Sequence, residues 1–190
     1  MKNILILGIP RAGKSTLSKM IAKKYNNYIT IDTDSIRDAF QHALPSTKIN
    51  KYNGKGMKDD FPKFIEQLLY WESYNNQEYN YIIDSADISP LKAKELFNND
   101  KNIIIFLGFL NITVEEVFEN CRKYDKENSW SKKVPDKELK EILKRYVDRS
   151  KELYIECKKY NFKFFDTAFN REKVLNEIIL YIEEKIGESL

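Results

Sequence analysis

Eight residues near the start of the chain, Gly8-Ile9-Pro10-Arg11-Ala12-Gly13-Lys14-Ser15, fit the spacing G-x-x-x-x-G-K-[ST]. Each fixed position has a chemical reason. Gly8 and Gly13 permit backbone turns that point successive N–H groups at one centre. A helix opening at Lys14 adds further unpaired donors and a partial positive charge. The Lys14 ammonium can reach the β- and γ-phosphates of a nucleoside triphosphate, and the Ser15 hydroxyl is a ligand for Mg2+. The expected phosphate cradle therefore runs through Gly8, Pro10, Arg11, Ala12, Gly13, Lys14, Ser15 and Thr16, with the amides of Ala12 to Thr16 as donors. An ordinary Gly-rich turn is the plain alternative. The apolar run before the motif and the helical pattern after it favour the cradle.

Two acidic stretches follow apolar runs. In Ile31-Asp32-Thr33-Asp34-Ser35-Ile36-Arg37-Asp38, the carboxylates fall at the carboxyl end of a strand, where open α/β sheets bind ligands. Asp34 is expected to take the proton of an attacking hydroxyl or hold that hydroxyl in place. Asp32 is expected to orient a water on the metal. Arg37, one helical turn later, is expected to meet an acidic group on the acceptor. A local role stays open, with Asp34 or Ser35 as a helix N-cap. In Tyr81-Ile82-Ile83-Asp84-Ser85-Ala86-Asp87, Asp84 is expected to hold Mg2+ through water, and Asp87 to face the acceptor. A strand-end Asp also serves in turns.

A basic stretch carries Arg122, Lys123, Lys126, Trp130, Lys132, Lys133, Arg145 and Arg149. Arginines on a closing flap can neutralise the oxygens of a transferring phosphoryl group and exclude water. Arg122, Arg145 and Arg149 are the candidates. For the lysines a solvated helix face is the plainer reading. Arg145 and Arg149 lie one turn apart, able to face one phosphate chain or to pair with Glu141, Asp148 or Glu152. Tyr70, Trp71 and Tyr74 either line an acceptor pocket or serve as core and surface.

The elements that must position these residues alternate. Strands are expected at Lys2 to Leu7, Tyr28 to Ile31, Tyr81 to Asp84, Asn102 to Leu110 and Phe162 to Phe165. Between them, helical spacing covers Lys14 to Tyr25, Ser35 to Ala43, Phe61 to Tyr79, Pro90 to Asn98, Thr113 to Tyr124 and Asp136 to Tyr160, with a closing helix from Arg171 to Ile186. Thr113 with Glu116 has the capping-box spacing. Ser46 to Lys58 reads as an exposed connection. Strands separated by helices imply right-handed crossovers and a parallel sheet covered on both faces, an α/β/α sandwich.

Composition bounds the rest. The 190 residues carry a net charge of +3, too mild to announce a nucleic-acid binder. Two distant cysteines and a single histidine, His42, argue against a disulfide scaffold, a His-based zinc site and a His-dependent nucleophile. No apolar run is long enough to cross a bilayer, and no leader pattern opens the chain. A cytoplasmic protein, monomeric or homodimeric and not membrane-bound, is expected.

With the cradle, the two Asp pairs and the ending FFDTAFNREKVLNEIILYI in view, the chain resembles the small P-loop kinases of the adenylate-kinase-like, shikimate-kinase-like and polynucleotide 5′-kinase-like kinds. The resemblance implies one domain over 1–190 built on a five-stranded parallel sheet in the order 2-3-1-4-5. It implies an acceptor-binding insertion at about 35–79 and a lid at about 122–136. It implies ATP with Mg2+ as donor and a small-molecule acceptor, and it places Thr167 and Ala168 near the adenine. GIPRAGKST followed by IDTDSIR looks most like the branch that phosphorylates a hydroxyl, with Asp34 on the acceptor side. Arg11 stands where many relatives have Gly, and the T-G-D acceptor motif of adenylate kinases is missing after the first helix. A nucleoside monophosphate is the second acceptor class. A slow ATP-binding switch is the alternative outside the kinases; a GTPase would need a Gly that DSAD lacks and an Asp that NKYN lacks.

Overall fold

A computed structural model describes residues 2–50, 56–127 and 129–187. The central strand β1 (Asn3–Gly8) is buried along its whole length, and Ile4 to Leu7 have no exposed surface. A strand covered on both faces takes apolar residues at successive positions, which is why Ile4 to Leu7 do not alternate. β2 (Tyr28–Asp32), β3 (Asn80–Ser85), β4 (Asn102–Gly108) and β5 (Lys163–Asp166) pair in parallel in the order β2-β3-β1-β4-β5. The sheet order and class are those expected from the sequence.

Parallel register delivers the motifs to one edge. Ile6 pairs with Asp84, Asp32 with Asp84, and Gly8 with Leu107. The loop after β1 and the carboxylates ending β2 and β3 therefore emerge side by side. Around the sheet lie α1 (Lys14–Lys24), α2 (Thr33–Ala43), α3 (Phe61–Asn75), α4 (Pro90–Lys92), α5 (Val114–Tyr124), α6 (Trp130–Lys133), α7 (Asp136–Lys159) and α8 (Arg171–Gly187). Thr113 and Glu116 form the expected capping box at α5. None of these helices is long and apolar enough to cross a membrane.

Several boundaries differ from expectation. α2 starts two residues early, because Asp32 rather than Asp34 or Ser35 caps it. α3 stops at Asn75 instead of Tyr79, since Asn76 leaves helical geometry and the Tyr79 N–H turns back to its carbonyl. The helix from Pro90 widens after Lys92 into a π-helical turn over Ala93–Phe97. The connection expected to be exposed folds back instead. Ile49 is buried, and Gly56 packs so closely on Lys48 that a Cβ there would sit 2.5 Å from the Lys48 carbonyl oxygen. Residues 51–55 of that connection, and of the expected insertion, lie outside the described residues, as does residue 128 of the expected lid.

Candidate active site

The loop between β1 and α1 is built from three left-handed residues, Gly8 (φ 127), Arg11 (φ 75) and Gly13 (φ 95). Gly8 is required by contact as well as angle: a Cβ would lie 2.0 Å from the Leu107 carbonyl oxygen on the neighbouring strand. That same oxygen accepts from the Ile9 N–H at 3.0 Å and anchors the loop to β4. The first bond inside α1 runs from the Leu17 N–H to the Gly13 carbonyl, so the amides opening the helix are left for a ligand. The Ala12 amide differs from expectation. It donates to the Ile9 carbonyl at 3.3 Å and closes the loop's own turn.

Lys14 folds over this loop. Its ammonium donates to the Ile9 carbonyl at 3.2 Å, and the residue is only 8% exposed. Burial pushes its pKa below the usual lysine value, while Asp84, then Asp34, Asp87 and Asp32 pull the other way. A buried ammonium ringed by carboxylates is a site organised around charge.

Asp84 is buried, and burial pushes its carboxyl above the usual range; a hydrogen bond from the Ser15 hydroxyl and the nearby Lys14 charge oppose that. The link between Ser15 and Asp84 joins the cradle to the end of β3. Asp32 is spent locally. One of its oxygens accepts from the Asp34 N–H at 3.1 Å, the other from the Ser35 hydroxyl at 2.9 Å. Asp34 is exposed and forms an ion pair with Arg37 at 2.7 Å. Arg37 also bonds Asp87 at 2.9 Å and Asp38 at 3.2 Å. Burial pulls its pKa down, but Asp87, Asp34 and Asp38 outweigh that. Beneath this edge, the fully buried Thr33 hydroxyl donates to the Ser85 hydroxyl at 2.9 Å and lies 3.1 Å from the Asp84 carbonyl, fixing α2 to β3.

The three candidate arginines do not share one environment. Arg122 grips the segment after α5. It donates to the carbonyls of Ser131 at 2.6 Å and Val134 at 2.8 Å and pairs with Asp136. Arg149 pairs with Glu152 and Glu156 of its own helix. Both guanidinium groups are thus committed to protein groups, the outcome the sequence left open for Arg149. Arg145 is exposed and has no ion pair among the described residues.

Beside the cradle lies a cleft of about 1100 Å3, lined among others by Gly13, Thr16, Phe109, Cys121, Ala168 and Arg171. Ala168, Phe169 and Asn170 form its wall after β5. Thr167 sits below that wall, fully buried, with its hydroxyl and its amide both on the Gly108 carbonyl. Two residues here escaped the sequence reading. Arg171 lines the cleft and donates to the Arg11 carbonyl at 3.1 Å, and no described carboxylate pairs with it. A cation in the first turn of a helix opposes the dipole, and that was the available signal. Tyr146 of α7 is within electrostatic reach of Arg145, Arg11 and Asp34; as one apolar step among many, it carried no signal.

Residues 2–102, more than half of the chain, match the family model for the zeta toxin. The chain belongs to the zeta toxin family. This zeta toxin family member is also 29% identical to a shikimate kinase of Clostridium botulinum (strain 657 / Type Ba4), across 78% of this chain and 82% of that enzyme. It is 24% identical to a cytidylate kinase of Mesomycoplasma hyopneumoniae (strain 7448), across 98% of this chain and 95% of the other. In three dimensions a shikimate kinase from Bacteroides thetaiotaomicron superposes with a TM-score of 0.57 at 19% identity, covering 98% of each chain. A gluconokinase from Sinorhizobium meliloti 1021 superposes at 0.52 with 14% identity, over 93% of this chain and 88% of that one. The solved structures establish a shared fold. With its cradle motif and family, this zeta toxin family member is a small P-loop kinase.

Proposed function

We propose that the chain transfers the γ-phosphate of ATP to a hydroxyl of a small-molecule acceptor. The observation that carries this reading is the placement of Lys14: a buried ammonium on the phosphate loop, facing the carboxylates that end β2 and β3. The cleft beside Gly13 and Thr16 suits the nucleoside, with the backbone at Ala168 against the base. The amides opening α1 and the Lys14 ammonium bind and orient the phosphate chain. Of the three candidate arginines, Arg145 is the one with no ion pair among the described residues, and it is assigned to the transferring group.

Ser15 and Asp84 fit as side-chain ligands for Mg2+. They already bond one another, and among the described residues no set of three or more metal-type side chains forms a closed cage. Such a pair suits a cation that takes most of its shell from phosphate and water. When bound, Mg2+ neutralises charge on the phosphate oxygens. Asp32, committed to the α2 cap, has a positioning part at most.

On the acceptor side Asp34 is exposed beside the cradle, suited to hold the hydroxyl and receive its proton. Arg37 and Asp87 shape that side as a pair. A nucleoside monophosphate acceptor, the reading the cytidylate kinase relative favours, needs cations free for its phosphate. Arg37 instead is bound by three carboxylates, and this favours the hydroxyl acceptor.

ADP release measured across neutral sugars, nucleosides, nucleotides and hydroxy acids tests the reading. One class of hydroxyl compound is expected to stimulate release. Slow ATP hydrolysis indifferent to every compound would point to a nucleotide-dependent switch instead. With the stimulating acceptor, Asp34→Asn should lower kcat by about 100-fold, with the ATP KM within about twofold. Equal loss in both would reduce Asp34 to a structural part of the α2 start.

A further inference from the structure

Arg11 occupies a left-handed position in the phosphate loop, where a residue with a side chain is strained and Gly is at ease. Something must hold it. Its carbonyl accepts from Arg171, and its guanidinium forms an ion pair with Asp125. The Asp125 side chain is 9% exposed, and its second oxygen accepts from the buried Ser131 hydroxyl. Asp125 is also the C-cap of α5, the helix end where a negative charge is least welcome. The cap therefore does not account for its presence there; its two side-chain partners do. The segment it belongs to is fastened independently. Arg122 holds the carbonyls of Ser131 and Val134 and the Asp136 carboxylate, and Lys132 donates to the Arg122 carbonyl.

We infer that Asp125 is a positioning residue for the nucleotide, acting through Arg11. By holding that guanidinium it keeps the loop in the left-handed turn that presents the amides at the start of α1, and it ties the cradle to the fastened segment at α6. The inference rests on the reading of the loop as a triphosphate cradle. Without Asp125, Arg11 has no counter-charge within the described structure and its backbone is free to leave the strained conformation. Replacing Arg11 with Gly removes the strain, and with it the need for an anchor.

The test is a two-residue cycle read by calorimetric titration with MgATP, no acceptor being needed. Asp125→Asn should weaken binding about tenfold. Arg11→Gly, which removes the strained side chain, supplies the background, and its own dissociation constant is the reference for the double variant. In the Arg11→Gly background, Asp125→Asn should change the dissociation constant less than twofold. Asp136→Asn, which loosens the same segment without touching Arg11, should leave binding unchanged even if it lowers the melting temperature. With an acceptor in hand, Asp125→Asn should raise the ATP KM and leave kcat within about twofold. Binding by Asp125→Asn equal to wild type overturns the inference, as does a tenfold loss that persists in the Arg11→Gly background. Failure of the wild-type chain to bind MgATP at all would instead overturn the cradle reading.

Discussion

Lys14→Met is expected to abolish phosphoryl transfer, with a fall in turnover on the order of 1000-fold or more, while the melting temperature stays within a few degrees of wild type. The two halves have separate physical causes. Under the proposed kinase reading the ammonium follows charge as it moves onto the β–γ bridge and the departing phosphoryl group, and in a site shielded from water such a charge counts for far more than in solution. A loss of that size corresponds to roughly 4 kcal/mol of transition-state stabilisation. Stability is spared because the folded chain already strains to keep the charge: burial pushes the Lys14 pKa down, and the neighbouring carboxylates only offset it. Methionine retains the unbranched stem that fills the space over the loop and removes the buried ammonium. Steady-state turnover and a thermal melt measure both halves. Normal turnover in this variant would remove the cradle argument; a collapse of the melt would make Lys14 a structural residue first.

The second large effect concerns the hinge of the same loop. Gly8→Ala is expected to lower stability by about 3 kcal/mol, combining strain at positive φ with overpacking against a neighbouring strand. For a chain of this length that is a fall in melting temperature of roughly 6–12 °C. The added methyl would meet backbone, the Leu107 carbonyl oxygen at 2.0 Å, and backbone cannot rotate aside as a side chain can. Relief requires β1 and β4 to part at the point where the Ile9 N–H bonds that same oxygen. The loop should therefore lose its anchor along with its register, and MgATP binding should weaken with stability. Gly13→Ala provides the contrast. A Cβ there would meet the Arg171 and Leu175 side chains at ordinary van der Waals distance, Arg171 Cδ nearest at 3.5 Å, so its cost comes from φ and should be smaller. A thermal melt in which the two variants fell equally would show that the close approach to Leu107 is not what makes Gly8 necessary.

Local chemistry was readable wherever one residue type at one spacing has a single physical use. The apolar runs that become β1 and β4, the glycines flanking the loop and the Thr113 box at α5 follow from that kind of rule. The end of α3 and the widening after Lys92 did not: at Asn76 the backbone leaves helical geometry and the Tyr79 N–H turns back onto its carbonyl, while Ala93–Phe97 take a π-helical turn. Ile49 carries the same lesson. Surrounded by Asn, Gly and Lys, it reads as part of a solvated connection, yet the chain folds back and buries it.

The roles of the charged side chains divide in the same way. The place of Lys14 follows from the motif, so the sequence by itself determined a P-loop turn, the lysine that opens its helix and the α/β frame that holds them. For Asp32, Arg122 and Arg149, residue type and spacing allowed either a ligand or a protein partner, and the partners chosen are a helix cap, two carbonyls with Asp136, and Glu152 with Glu156. Arg37, expected to meet the acceptor, is saturated by carboxylates, and Arg171, for which the sequence suggested no role, faces the cleft. Only the tertiary structure decided these, because an ion pair depends on which carboxylate the packing brings within a few ångströms, and that distance is set by strand register and helix docking many residues away.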